Sequence, residues 1–218
     1  MVTTRERGTL MPETNLLLFV TASLALIVVP GPDMIYVLAR GISQGRAAGL
    51  VSAVGVCSGV LVHTAVAAVG LSAILAQSAL AFSVVKYAGA AYLFYLGVRT
   101  ILDREGFAVP ERAGRVRLSV VFRQGVLSNV LNPKVALFFL AFLPQFVDPT
   151  AGAVGLQMLG FGLAFTLMGL TVLGAVALTS GGLGERLRRS PSFAGVLRWL
   201  TGSVLVALGL RLAIPERR

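Results

Sequence analysis

The sequence is short of most of what soluble catalysis uses. It has one cysteine, Cys57, and one histidine, His63. A lone thiol excludes an internal disulfide and a CxxC redox pair. A lone imidazole excludes a histidine-rich metal cage. Charge is scarce too, at 13% of residues, with 9 acidic side chains against 19 basic ones; soluble domains carry about 25%. Alternation of apolar and polar residues is missing from every apolar segment, which leaves helices as the spanning structure.

What is abundant is hydrocarbon. Of the 218 residues 56% are hydrophobic, and the mean hydropathy is +0.85. A chain of this size cannot hide that much apolar surface from water, so the bilayer is its expected solvent. The net charge of +10 falls at the ends of apolar runs and between them. That pattern marks membrane topology rather than a phosphate-binding face, so nucleic acid is not an expected partner. Six apolar segments stand out, at about 14–39, 47–76, 80–102, 122–147, 152–179 and 194–214. Each is near the ~20 residues a spanning helix needs. The charged stretch 103–121, with Pro110, reads as a linker within a single integral membrane domain, residues 1–218. Arg5 and Arg7 before the apolar run Leu16 to Val29 resemble a signal peptide. Without a small-x-small cleavage site before Pro30, the run reads as a retained first span. Met11 is an alternative start.

The third and sixth segments match without gaps. Leu93/Leu205, Leu96/Leu208, Gly97/Gly209 and Arg99/Arg211 are identical pairs at an offset of 112. The first and fourth segments each carry a helix breaker, Pro32 and Pro133, at an offset of 101. A longer loop near 180–193 than near 77–80 accounts for the change of offset. The fold expected is an all-α membrane protein. Its six transmembrane helices form two inverted three-helix repeats, about 14–102 and about 122–214, with helices 1 and 4 broken. Three spans per copy is odd, so the second copy is inverted, as in many secondary transporters. Arg40, Arg46, Arg99, Arg104, Arg112, Arg115, Arg117, Arg123, Arg186, Arg188 and Arg189 all flank the same set of gaps. The positive-inside rule places that set in the cytoplasm and both termini outside.

The two breaks are the candidate site. Pro30 and Pro32 flank Gly31 within an apolar run, and Asp33 follows. Asn132-Pro133 interrupts the fourth segment, with Asn129 one turn earlier and Lys134 next. Breaks at membrane depth free amides and carbonyls, which are tolerable only inside protein or facing a cavity. A helix start suits a carboxylate. Asp33 and Lys134 read in two ways, as a structural ion pair or as the poles that meet a zwitterion; Lys134 has a third option, snorkelling to the interface. His63 reads first as a packed polar residue and second as a proton relay. Gly41, Gly45 and Gly49, with Gly55 and Gly59, read as close packing faces within the chain, with a homodimer as the second use.

"PGPDMIYVLARGISQGRAAGLVSAVGVCSGVLVH" from Pro30, residues 86–100 and "FRQGVLSNVLNPKVALFFLAFLPQFV" from Phe122 resemble the lysine exporter (LysE/RhtB) family of amino-acid exporters. The resemblance runs from about Met11 to Leu212. It implies export of amino acids or close derivatives from the bacterial cytoplasm across the inner membrane. The drive would be the proton or membrane potential, with H+ the coupling ion. It carries over Pro30, Gly31, Pro32, Asn132, Pro133 and Lys134 as motif positions. Neither a cofactor nor a metal is called for. Two rivals remain at this point: an inorganic-cation exporter of related fold and, with less support, a membrane-embedded enzyme. A basic cargo would want more than one carboxylate in the cavity, which tilts the reading to neutral or small polar amino acids.

Overall fold

The computed structural model describes residues 13–71, 79–102 and 114–214. Both candidate starts and most of the 103–121 linker lie outside these residues. Among the described residues the chain is helical throughout, with no strand. Helices α1 (Glu13–Val28) and α2 (Pro32–Gln44) form the first broken pair. They are followed by α3 (Arg46–Val66) with a closing π turn Ala67–Leu71, and by α4 (Ala79–Leu102). Helices α5 (Leu118–Val130) and α6 (Pro133–Leu137) form the second broken pair. A π turn Phe138–Phe142 and a 3-10 turn Leu143–Phe146 continue α6. Two long helices, α7 (Val154–Arg189) and α8 (Pro191–Ala213), complete the chain.

Parts of α3, α7 and α8 are long and apolar enough to cross a membrane. So are the two broken pairs, bent by 50° and 48° at their prolines. The fourth helix has the length, 24 residues. It carries Lys86, Arg99 and three tyrosines, and its described part does not reach the apolarity of the others. Leucines and valines stand exposed on every long helix, as lipid-facing surfaces require. Tyr87 on α4 and Trp199 on α8 are half exposed, as interfacial aromatics are.

Glycines set the helix seams, and the seams set the directions. Gly55 and Gly59 let α3 run beside α5, against Phe122 and Asn129, with the two helices parallel. Gly49, Gly162 and Gly169 hold α7 antiparallel to α3. Gly97, Gly202 and Gly209 hold α8 antiparallel to α4. These are the relative directions of spans that alternate across a bilayer. The core between the seams is aromatic. Phe138, Phe139 and Phe142 are fully buried on the π turn and pack with Phe165, Phe146, Phe161 and Phe19.

Two expectations change. No loop occupies 180–193: α7 continues to Arg189 and only Ser190 separates it from α8. Glu, Leu and Arg after Gly181-Gly182 favour the helix, and Pro191 starts the next one at the position that needs no amide. Gly45 is not part of a packing face. Its φ of +93° makes the turn between α2 and α3, with nothing near where a side chain would stand. Gly41, Gly49, Gly55 and Gly59 all pack within the chain.

A Cβ at Gly97 would lie 2.7 Å from the Gly202 carbonyl and the Val206 amide, whereas one at Gly160 would meet open space. Gly97→Leu is expected to destabilise by more than about 3 kcal/mol, the upper end of ordinary overpacking. Gly160→Leu should stay within about 0.5 kcal/mol. Thermal unfolding in detergent checks this; equal midpoints for the two variants would contradict the α4–α8 seam.

Candidate functional site

In an α-helix each carbonyl accepts from the amide four residues on. The Leu26 carbonyl would need the amide of Pro30, which proline lacks. The chain supplies a substitute from far away. Lys134 Nζ donates to the Leu26 carbonyl at 3.0 Å and to the Val29 carbonyl at 3.0 Å. An ammonium at the end of α1 also matches the negative pole of that helix. Gly31 makes the approach possible, since a Cβ there would stand 3.1 Å from Nζ.

The second break is met in a similar way. The Asn129 carbonyl would need the amide of Pro133. It accepts instead from Asn132 N at 2.9 Å and from His63 Nε2 at 3.1 Å. A carbonyl only accepts, so the His63 Nε2 carries the proton in this contact. The Asn132 side-chain oxygen caps α6 by accepting from Lys134 N at 3.1 Å. Its amide is then left to turn toward Asp33.

Asp33 sits in the first turn of α2, at that helix's positive pole. Its carboxylate accepts from Asn129 Nδ2 at 2.8 Å, Asn132 Nδ2 at 2.9 Å and Ser128 Oγ at 3.0 Å. All of these but Ser128 are buried: Asp33 is 9% exposed, Lys134 7%, Asn132 2% and Asn129 1%. The two charges therefore do not form a direct ion pair. Each has separate neutral partners, and Lys134 points inward rather than snorkelling. Asn129 Oδ1, which would lie 2.9 Å from a Cβ at Gly59, has no hydrogen-bond partner. Asp33, Asn129 and Lys134 line one cavity of about 30 Å3. That is room for roughly two waters, so an amino acid does not fit in this conformation. Its other walls are apolar, among them Ile27, Val60, Val135, Phe165 and Leu173, with Cys57 beside them.

A family model described as LysE type translocator matches residues 24–216. The chain belongs to the LysE-type translocator family. An uncharacterized membrane protein of Pseudomonas aeruginosa is 33% identical over 205 residues, covering 92% of this chain and 95% of that one. The uncharacterized membrane protein YrhP of Bacillus subtilis is 28% identical over 207 residues, 90% and 97% of the two chains. The leucine efflux protein of Salmonella typhimurium is 26% identical over 198 residues, 89% and 92%. No solved structure matches.

As a LysE-type translocator the protein is a membrane transporter and not an enzyme. Every site residue expected from sequence gathers at the two facing breaks. Ser128 and His63 join them without having been expected, and a polar stripe on α2 leads away from them. Ser128 lies next to Asn129 and had no separate signal. His63 holds the second break, a role that needs the fold to be visible. Tyr36, Arg40 and Gln44 lie on the Asp33 face of α2, at a helical spacing the sequence did display. The larger grooves, about 590 Å3 between α1 and α7 and about 360 Å3 between α4 and α8, are lined almost wholly by apolar side chains.

Lys134→Met removes the donor shared by two buried carbonyls. The expected cost is about 2–6 kcal/mol, from about 1–3 for each unsatisfied group. His63→Gln, which keeps a donor, should cost less than His63→Leu. Melting midpoints of the purified variants in one detergent check both, and an unchanged midpoint for Lys134→Met would contradict the assigned contacts.

Proposed function

We propose that the protein is a secondary-active exporter of neutral, predominantly apolar amino acids. The observation that carries the reading is the pairing at the facing breaks: a buried carboxylate held by neutral donors lies beside a buried ammonium held by bare carbonyls. Both are poised for exchange. The ammonium of a zwitterion can replace the three donors on Asp33, and its carboxylate can draw Lys134 from Leu26 and Val29. Asn129 Oδ1, buried and without a partner, supplies one more acceptor for an ammonium. The apolar walls suit a hydrocarbon side chain. A leucine efflux protein among the relatives agrees with that class.

Two three-helix halves, about 14–102 and about 122–214, form a single membrane domain in this reading and rock about the midplane site. The arginine-rich gaps face the cytoplasm of a bacterial inner membrane, with both termini outside. The proton is the coupling ion in this reading. An inorganic cation is less suited. The oxygens of Asp33 meet N–H and O–H donors, where a metal would need an oxygen cage.

Cells overproducing the chain should survive toxic leucine analogues and leucine-containing dipeptides, and should hold less internal leucine. Asp33→Asn should cut the export rate by at least about tenfold at equal protein in the membrane, as loss of one charged hydrogen-bond partner implies. A protonophore should abolish accumulation against a gradient. No protection across a panel of neutral amino acids, or full export by Asp33→Asn, would end the reading.

A further inference from the structure

The face of α2 that carries Asp33 continues beyond the cavity. Tyr36, Arg40 and Gln44 follow on the same stripe, and all four side chains reach the chain between residues 114 and 132. Tyr36 Oη donates to the Val121 carbonyl at 2.7 Å. Arg40 donates to Gln124 Oε1 at 2.8 Å and to the Gly114 carbonyl at 3.2 Å. Gln44 pairs with the Val116 backbone in both directions, at 2.6 and 3.2 Å. With Asp33 on Ser128, Asn129 and Asn132, one polar seam runs about 16 Å from the cavity to the end of α2 at the helical rise. The α3–α5 and α4–α8 contacts are made differently, by glycine against backbone.

Arg40 is the unusual member of this seam. It is 9% exposed, and its guanidinium lies 5.7 Å from the centre of the Tyr36 ring. Its acceptors among the described residues are neutral, an amide oxygen and a main-chain carbonyl. A buried guanidinium is served better by a carboxylate, which its planar fork binds through two parallel bonds. The bond to Gly114 is the longer of the two and is the one a carboxylate would displace.

We infer that this seam is the passage from the arginine-rich face to the cavity, and that Arg40 is a binding station on it for the carboxylate of an α-amino acid. The inference rests on the export reading above. Arg40 lies two helical turns from Asp33, about 10 Å at the rise of a helix. Cargo therefore meets a cation first, by its carboxylate, and reaches the acceptor for its ammonium farther in. Tyr36 lies between them and offers a hydroxyl and a ring face along the way.

Leucine counterflow in sided membrane vesicles tests this without any assumption about coupling. Inverted vesicles expose the cytoplasmic face and right-side-out vesicles the other. Arg40→Gln should raise the KM for leucine at the cytoplasmic face by about tenfold or more, as loss of a charged hydrogen-bond partner implies. The KM at the outer face should not change. Arg40→Lys should fall between. If Arg40→Gln does not reach the membrane, Gln124→Glu serves instead. It sets a carboxylate of nearly the same shape against the guanidinium and should raise the same KM. An unchanged cytoplasmic KM, or an equal rise at both faces, overturns the inference while leaving export intact. A wild-type protein that exchanges no amino acid overturns the export reading, and this one with it.

Discussion

The fold turns on carbonyl groups that proline leaves without partners. A helix in lipid has no water to satisfy a missing amide, so each break must be closed by protein. Here the two breaks close each other. Lys134, from the second, occupies the Leu26 and Val29 carbonyls of the first. Asp33, from the first, gathers Asn129 and Asn132 from the second. The charges also match the helix ends they face: the Lys134 ammonium reaches the end of α1, and Asp33 stands at the start of α2. Neither broken span would be stable alone at membrane depth, which is why the two face each other in the middle of the molecule.

The surrounding seams divide the molecule by how they can part. Where glycine lets backbone meet backbone, as along α3–α5 and α4–α8, separation opens a void that only lipid or another helix could fill. Packing of that kind is bistable at most and does not yield gradually. Between α2 and residues 114–132 a run of polar side-chain bonds crosses the seam, and water or a zwitterion can take over each of them. The opposite side of α2 is apolar, with Met34, Val37 and Leu38 packed on Ala53, Val56, Leu173 and Ala177.

Much of this was legible in the sequence. Hydropathy gave the membrane class, and the prolines located both breaks, near Gly31 and at Asn132-Pro133, because a missing amide is a local property. The pairing of Pro30-Gly31-Pro32 with Asn132-Pro133-Lys134 was legible from likeness and from symmetry of position. What each charge touches was not legible. An ion pair was one of the two readings of Asp33 and Lys134, because opposite charges in lipid usually seek each other. The competing demand came from main-chain carbonyls, which are invisible in a string of letters. The end of the α7 helix was misjudged for a related reason. Gly181-Gly182 reads as a stop by propensity, yet the residues after it carry the helix to Arg189. His63 and Arg40 act across the fold, and their partners lie 66 and 84 residues away.

On the export reading, a cavity of about 30 Å3 with its charges already satisfied bears on how the site would release cargo. An empty site with a bare carboxylate and a bare ammonium would hold a zwitterion too tightly to let it go. Self-satisfaction lowers that affinity, because cargo gains only the difference between its own bonds and those it displaces. The exchange is uneven. Three neutral donors on Asp33 give way to one ammonium, a stronger partner. Moving Lys134 to a cargo carboxylate, in contrast, strips the Leu26 and Val29 carbonyls of their donor. Those carbonyls must then find water, so occupancy favours whichever conformation admits solvent to the end of α1. A ligand shifts a conformational equilibrium only by its differential affinity for the two states. On the export reading, that differential is built here from two main-chain oxygens, of Leu26 and Val29, that the break in the first span has left in need of a donor.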